Sequence, residues 1–267
     1  MLSRVGAADA DEDERRDADY VQSLERGLAA LRVFDADHPA LTLSEVARGA
    51  GLTRATARRL LMTFEKLGYM RTDGRLFSLT PKVLDLGYAY VSSMQVSEIA
   101  QPFMEALSER VHESVSASVL DGDEIVYVAR VPTKRIMRIA LSLGSRLPAA
   151  VTSMGRVLIA DLPPDQLDVF LARTPLPKRT ERTVDDPDRL REVIADVRRQ
   201  GWALVDQELE DGVRSVAAPV RDRSGRAVVA INISTHAGRV SLREVRNDFV
   251  PQLLAVCDDV STQLRKR

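Results

Sequence analysis

The chain has 267 residues, of which 45% are hydrophobic and 29% charged, with a formal net charge of −1 at pH 7. This is the composition of a soluble globular protein with room for two modest domains. Its single cysteine, Cys257, excludes an internal disulfide, and no apolar run approaches the roughly 18 residues of a membrane span or the apolar segment of a signal peptide. We therefore expect a cytoplasmic protein with no membrane partner.

The first 19 residues are strongly acidic, with seven Asp or Glu against three Arg. Because they contain few large apolar side chains, residues 1–19 are predicted to form a disordered acidic tail. The sign of the charge reverses over residues 53–82, which contain seven basic residues and only two acidic ones, Glu65 and Asp73. This pattern predicts a local basic surface, although runs of charge are often no more than solvated surface.

The stretch SLERGLAALRVFDA predicts the first helix, over residues 21–36. Leu24, Leu28, Leu31 and Val33 recur near helical spacing, which is typical of an amphipathic helix with one apolar face.

The stretch LTLSEVARGAGLTRATARRLL predicts two further helices joined by a tight turn. Thr42 and Glu45 have the spacing of a capping box, and Gly51 can adopt the left-handed conformation of a sharp turn. Thr53 can cap the third helix, which is expected to run to about Leu67. Helix, turn and helix in this order predict a helix-turn-helix, whose second helix enters the major groove.

The third helix has an apolar face of Ala57, Leu60, Leu61 and Phe64, and a polar face that we expect to contact DNA. The residues predicted to do so are Thr53, Arg54, Ala55, Thr56, Arg58 and Arg59. Bidentate Arg–guanine pairs are among the commonest specific contacts to bases. The alternatives are that the arginines are only a solvated face and that the threonines only cap the helix.

The next stretch, YMRTDGRLFSL, predicts a β-hairpin around Asp73-Gly74, a pair favoured in type I′ turns. A hairpin directly after a helix-turn-helix is typical of a winged helix, so residues 20–80 are predicted to be a DNA-binding domain. Arg71 and Arg75 flank the tip and are expected to contact phosphate or the minor groove. Thr80 and Pro81 are then expected to cap and begin a linker helix over residues 81–94.

Residues 95–267 are predicted to form an α+β domain with a mainly antiparallel sheet and helices segregated around it. An amphipathic helix precedes the strand-like stretches VSASVLDGDEIVYVARV and RIMRIALSLG, and a helix follows the loop TSMG. Helices at about 165–173 and 187–200, the strands WALVDQE, VRSVAAPVRD and AVVAINIST, and a terminal helix from about Ser241 complete the domain.

Ser215, Asn232 and Ser234 stand out on strands otherwise rich in Val, Ala and Ile. Polar side chains on a buried face need hydrogen-bond partners, which can be neighbouring backbone and water or a carboxylate-bearing ligand. The Ser153-Met154-Gly155 loop ahead of a helix adds backbone donors and a dipole that favours an anion.

From Asp19 onwards the chain resembles the IclR family of transcriptional regulators, most closely the branch that controls aromatic-acid catabolism through the β-ketoadipate pathway. The resemblance covers the winged-helix stretch and continues through VHESVSASVLDGDEIVYVARVPTKRIM, TSMGRVLIADLPPDQLDVFLA and GWALVDQELEDGVRSVAAPVRDRSGRAVVAINIST. It implies a homodimer or tetramer whose chains carry a winged helix, a linker helix and a GAF-like effector domain. The effector-binding residues that it implies are Thr152, Ser153, Met154, Gly155, Ser215, Asn232 and Ser234.

Some relatives have Cys at the position of Ser215 and Ser at that of Asn232, which weighs against a very small keto-acid as ligand. No metal site and no cofactor are expected, because Cys257 lies far from any His.

The function expected is a ligand-responsive regulator of an aromatic-acid catabolic operon, which binds double-stranded operator DNA and an aromatic acid or β-ketoadipate-like effector. The alternative within the family is a regulator of another carbon-source pathway that senses a small keto-acid. An enzyme is not expected: DGDE and VDQELED offer paired carboxylates, but DGDE is better explained as a turn and no nucleophile–His set has a familiar spacing. A winged helix that binds only protein would present an apolar third helix.

Overall fold

The computed structural model describes residues 20–35, 37–87, 95–133 and 141–266. The chain divides into two compact units, residues 1–90 and 91–267, and three hydrophobic clusters form their cores. The expected tail of residues 1–19 and residues 88–94 of the expected linker helix lie outside the described residues. Among the residues described, no helix is long and apolar enough to cross a membrane.

The described part of the N-terminal unit contains, before the linker segment, three helices and a three-stranded antiparallel sheet. Its elements are α1 Gln22–Leu31, β1 Ala40–Thr42, α2 Leu43–Gly49, α3 Arg54–Leu67, β2 Met70–Thr72 and β3 Leu76–Leu79. The strand order β1-β3-β2 makes β2 and β3 the predicted wing. Strand β1 was not predicted, because three residues are too few for an alternating pattern and only pairing with β3 makes them a strand.

The local signals for the helix-turn-helix are confirmed. Thr42 N–H donates to Glu45 Oε2 at 2.8 Å, and Glu45 N–H donates to Thr42 Oγ1 at 3.3 Å, which completes the capping box. Gly51 has a φ of +66° in the turn. Thr53 Oγ1 accepts from Thr56 N–H at 3.2 Å and caps α3, which ends at Leu67.

The first helix is shorter than predicted, and its apolar face is only partly as predicted: Leu31 and Val33 pack against the core. The helix ends at Leu31, and Leu24 and Leu28 remain 63% and 41% exposed. The buried residues of α1 are Gly27 and Ala30. A Cβ on Gly27 would lie 3.4 Å from the Phe64 ring, an ordinary van der Waals distance, so this part of α1 lies directly against α3.

The predicted type I′ turn at Asp73-Gly74 is wrong. Asp73 N–H donates to the Leu76 carbonyl at 3.3 Å, so the central residues of the turn are Gly74 and Arg75. Of the predicted pair only Gly74 has a positive φ, +95°. Asp73 Oδ1 accepts from the amides of Arg75 and Leu76 at 2.9 and 2.7 Å, and these bonds hold Asp73 in front of the turn.

Thr80 does not cap the following helix as predicted. Its hydroxyl donates to the Gly68 carbonyl at 2.6 Å, and Lys82 Nζ donates to the Leu67 carbonyl at 2.9 Å. Both bonds satisfy carbonyls at the carboxyl end of α3 that lack helical partners. A 3-10 turn, Pro81–Val83, begins the described part of the linker segment, which remains helical to residue 87.

The C-terminal unit contains a six-stranded antiparallel sheet of order β6-β5-β4-β9-β8-β7. Its elements are α4 Gln95–Val111, β4 Ser114–Asp121, β5 Glu124–Val131, β6 Arg146–Pro148, α5 Ser153–Ala160, α6 Pro164–Arg173, α7 Pro187–Gln200, β7 Ala203–Asp206, β8 Val213–Arg221, β9 Ala227–His236 and α8 Val250–Lys266. Apart from the segment before β6, the predicted order of helices and strands is confirmed, and DGDE is the β4–β5 turn. The expected strand in RIMRIALSLG lies partly in residues 134–140, outside the described residues, while the short β6 was not predicted.

The two faces of the sheet bury different side chains. Val115, Ala117 and Val119 of β4 face the core formed with α4 and α8. The alternating serines of β4 lie on the other face, beside Asn232 of β9, where α5, α6 and α7 pack. The polar residues are thereby placed between the sheet and α5.

Candidate functional site

Helix α3 presents an arginine-rich surface. Thr53, Arg54, Ala55, Arg58 and Arg59 are exposed, whereas Thr56 is half-buried. No guanidinium group of this surface takes part in an ion pair within the described residues. Its positive charge is therefore available to an external anion.

The wing adds two more cations to the same unit. Arg71 lies on β2 and Arg75 lies in the turn, and both are exposed. Thr56 and Arg59 also border a groove between α1 and α3, next to Leu28 and Phe64. These two residues are thus at the edge of the α3 surface, a placement that the sequence did not indicate.

A pocket lies between α5 and the sheet, and six of the seven predicted effector residues line it. They are Thr152, Ser153, Met154, Ser215, Asn232 and Ser234. Ser153 and Ser215 are 62 positions apart in the chain, and the fold brings them together, so that Ser153 Oγ donates to Ser215 Oγ at 2.9 Å.

Gly155, the seventh predicted residue, does not line the pocket. A Cβ at this position would lie 2.1 Å from the Ala149 carbonyl oxygen, so glycine is needed for close backbone packing. The Gly155 amide donates to Thr152 Oγ1 at 3.1 Å and is not free for a ligand. At this end of α5 the amides of Ser153 and Met154 remain as donors without helical partners.

The polar groups of the pocket are neutral. Asn232 is 4% exposed, and its Oδ1 has no hydrogen-bond partner among the described residues. Burial raises the pKa of the Tyr127 hydroxyl to about 12, so that the phenol is protonated at neutral pH. A buried amide oxygen without a partner is costly, which favours a ligand or water that donates to it.

The sequence did not single out the apolar part of the lining. Apart from Tyr127, the additional lining residues are Leu141, Leu147, Val151, Val205, Leu209 and Val213. Val205 and Val213 could have been found from strand alternation, since Val213 and Ser215 share a face of β8. Leu209 carries no such signal, because it lies in the loop between β7 and β8.

Two of the four carboxylates of VDQELED, those of Asp206 and Glu208, are used in ion pairs. Asp206 accepts from Arg214 and Arg182 at 2.7 and 2.8 Å, and Glu208 accepts from Arg156. Carboxylates held in this way do not supply the acid and base that hydrolysis needs.

Family models match both units. The IclR helix-turn-helix domain matches residues 23–74, and the C-terminal domain of the bacterial transcriptional regulator IclR matches residues 88–262. The chain belongs to the IclR family. Because its members are transcriptional regulators, the expectation that the chain is not an enzyme is confirmed.

Two relatives within the IclR family control aromatic catabolism. The chain is 45% identical to the Pca regulon regulatory protein of Pseudomonas putida over 249 residues, which cover 93% of this chain and 86% of that protein. It is 33% identical to the p-hydroxybenzoate hydroxylase transcriptional activator of Acinetobacter baylyi, over 90% of this chain and 91% of that protein.

Solved structures confirm the predicted fold. A transcriptional regulator from Rhodococcus sp. RHA1 is 52% identical with a TM-score of 0.83, over 92% of this chain and 98% of that one. An IclR homolog from Microbacterium hydrocarbonoxydans, complexed with 4-hydroxybenzoate, is 25% identical with a TM-score of 0.82, over 92% of this chain and all 100% of that one.

Proposed function

We propose that this IclR-family regulator binds operator DNA through α3 and the wing, and that an aromatic acid or a β-ketoadipate-like acid in the α5 pocket changes its DNA affinity. The observation that carries the proposal is the buried, unpartnered Asn232 amide oxygen in a pocket of neutral hydrogen-bonding groups. Similarity to regulators of aromatic catabolism supports the ligand class.

The DNA-contacting role of α3 rests on charge and exposure. Arg54 and Arg58 lie in the first turns of a helix whose opposite face is buried, which is the part of a recognition helix that contacts base edges. Arg71 and Arg75 of the wing are suited to the phosphate backbone. The exposed arginines also argue against an apolar protein-docking surface on this helix.

The choice of effector rests on the neutral lining. Within the described residues, no charged side chain lines the pocket, so a carboxylate would be held by hydroxyls and by the first amides of α5. Ser215, Asn232 and Ser234 are suited to a ring hydroxyl or a carbonyl. The cavity volume is about 30 Å³, room for about one or two water molecules. A benzoate-sized acid therefore requires side chains of the lining to rearrange, and that movement is a means of coupling binding to DNA affinity.

Calorimetry and DNA binding by the full chain test this proposal. We expect 4-hydroxybenzoate, protocatechuate or β-ketoadipate to bind and to change the affinity for DNA upstream of the neighbouring operon by about 5- to 150-fold, as for a coupling of about 1–3 kcal/mol. Binding of pyruvate or glyoxylate alone would favour the alternative, a regulator of another carbon-source pathway. If the chain binds this DNA neither with nor without an effector, the role proposed for α3 is contradicted.

A homodimer or tetramer is part of the proposal. Helix-turn-helix proteins usually bind two-fold symmetric operators, so that one chain occupies each half-site. Light scattering of the free chain and of its DNA complex measures the number of chains, and a monomer on DNA would contradict it.

A further inference from the structure

A buried ion pair lies beside the pocket and is not part of its lining. Arg156, in the middle of α5, is 2% exposed, and Glu208, in the loop after β7, is 8% exposed. Arg156 Nη1 and Nη2 donate to the two carboxylate oxygens of Glu208 at 2.7 and 2.5 Å. This bidentate geometry fixes the direction of both side chains.

The other hydrogen bonds of the pair join two further segments. Arg156 Nε donates to the Ala150 carbonyl at 2.9 Å, and the Val184 amide donates to Glu208 Oε2 at 3.1 Å. Thr183 Oγ1 in turn donates to the Glu208 carbonyl at 2.7 Å. The ion pair thus connects α5, the turn before it, the segment around Val184 and the β7–β8 loop.

Both partners are flanked by residues that line the pocket. Val151 to Met154 lie between Ala150 and Arg156, the two residues joined by the Arg156 Nε bond. Val205, Leu209 and Val213 surround Glu208 in the chain. The ion pair therefore joins two chain segments that both contribute lining residues to the pocket.

The β7–β8 loop combines backbone strain with hydrogen bonds to segments outside it. Thr180 Oγ1 donates to the Gln207 carbonyl at 2.7 Å, and the Ala237 amide donates to the Gly212 carbonyl at 2.8 Å. The bidentate bond from Arg156 to Glu208 is the contact that joins the loop to α5. Gln207 has a φ of +62°, in the region that favours glycine, and Gly212 has a φ of +82°. Leu209 is only half-buried. A loop with backbone strain and little apolar burial opens readily unless contacts outside it hold it in place.

We infer that Arg156 and Glu208 are a positioning pair, which holds the β7–β8 loop against α5 so that Leu209 stays ordered beside the α5 residues when the effector binds. This inference rests on the proposed function, because it assigns the pair to the effector site. Replacing a buried ion pair by apolar residues of similar volume often leaves stability unchanged or higher. Such a replacement therefore separates the positioning role from simple stabilisation.

The test compares two double variants of the full chain. Arg156→Met/Glu208→Leu removes the positioning pair, and Arg221→Met/Asp161→Asn removes a second ion pair, of 2.6 Å, that joins the end of α5 to β8 away from the effector pocket. Hydrogen exchange of residues 207–213 is measured without ligand, and the affinities for 4-hydroxybenzoate and β-ketoadipate are measured by calorimetry.

We expect loop exchange to rise at least about tenfold and effector affinity to fall about tenfold in the first variant, and neither to change in the control, because the freed loop must be ordered again on binding. Arg156→Lys, which keeps the charge but loses the bidentate contact, should be intermediate, and it serves if the double variant does not fold. Equal loop exchange in the two double variants would overturn the inference. If the wild-type chain binds none of these acids, the proposed effector class fails while loop exchange still decides the role of the pair.

Discussion

The two units use arginine in opposite ways. In the N-terminal unit Arg54, Arg58 and Arg75 are exposed and form no ion pair within the described residues. In the C-terminal unit Arg156 and Arg214 are 2% and 6% exposed, and each is paired with a carboxylate. An exposed, unpaired cation is available to DNA phosphates and bases, whereas a buried pair is internal structure. Burial and pairing, rather than residue type, separate a binding surface from a structural contact.

The largest effect that this comparison predicts is on stability, from Glu208→Ala. The substitution leaves Arg156 buried without its carboxylate, and we expect the free energy of unfolding of the C-terminal unit to fall by about 3–5 kcal/mol. Urea denaturation followed by Trp202, the single tryptophan, measures it. Glu181→Ala is the control, since Glu181 is 94% exposed in its pair with Lys178 and its loss should have little effect. Equal losses in the two variants would remove the distinction between buried and exposed pairs.

A second stability effect concerns glycine. In Gly155→Ala the new Cβ meets the Ala149 backbone at 2.1 Å, so we expect a loss of about 1–3 kcal/mol from overpacking. Gly87→Ala in the N-terminal unit is the control, because its Cβ would meet nothing within 4 Å. Thermal unfolding of both variants measures the difference. A Gly155→Ala protein as stable as the wild type would mean that the turn at Ala149 can shift.

Among the exposed arginines of the N-terminal unit, Arg58 is the one for which we expect a loss of specificity. Arg58→Ala should weaken operator binding by about 1–3 kcal/mol and relax specificity, as expected for a base-contacting arginine. Its effect on unfolding should be negligible, because Arg58 has no ion-pair partner to lose among the described residues. Fluorescence anisotropy at fixed salt with operator and scrambled DNA measures the affinity and the specificity. Unchanged affinity for the operator would exclude Arg58 from the DNA interface.

The smallest expected effect distinguishes Arg75 in the wing from Arg58 on α3. Arg75→Ala in the wing should weaken binding to all sequences and make the slope of log affinity against log salt shallower by about one unit. Titrations at several salt concentrations measure the slope. A variant that keeps the wild-type slope but loses specificity would show that the wing contacts bases.

Contacts between near neighbours in the chain were predictable from the sequence. The capping box of Thr42 and Glu45, the Thr53 cap and the Gly51 turn involve residues at most three apart or a single backbone angle. Such features depend on local chemistry, which is why the helix-turn-helix and the order of elements in the C-terminal unit were predicted. The family resemblance added the effector residues, six of which line the pocket.

Contacts between distant residues were decided by the tertiary structure. The sequence favoured Leu24, Leu28, Leu31 and Val33 as the inner face of this helix. Leu24 and Leu28 are exposed instead, and Gly27 and Ala30 are the buried residues of α1, because the way the whole unit packs decides which side of a helix is covered. Pairing with β3, far along the chain, likewise made β1 a strand.

The site itself shows the same division. Arg156 and Glu208 are 52 residues apart, and nothing near either one identifies its partner. The sequence alone determined which residues are polar, which can cap and which can turn. The tertiary structure decided which of them are buried together, because burial and pairing depend on how the whole chain packs.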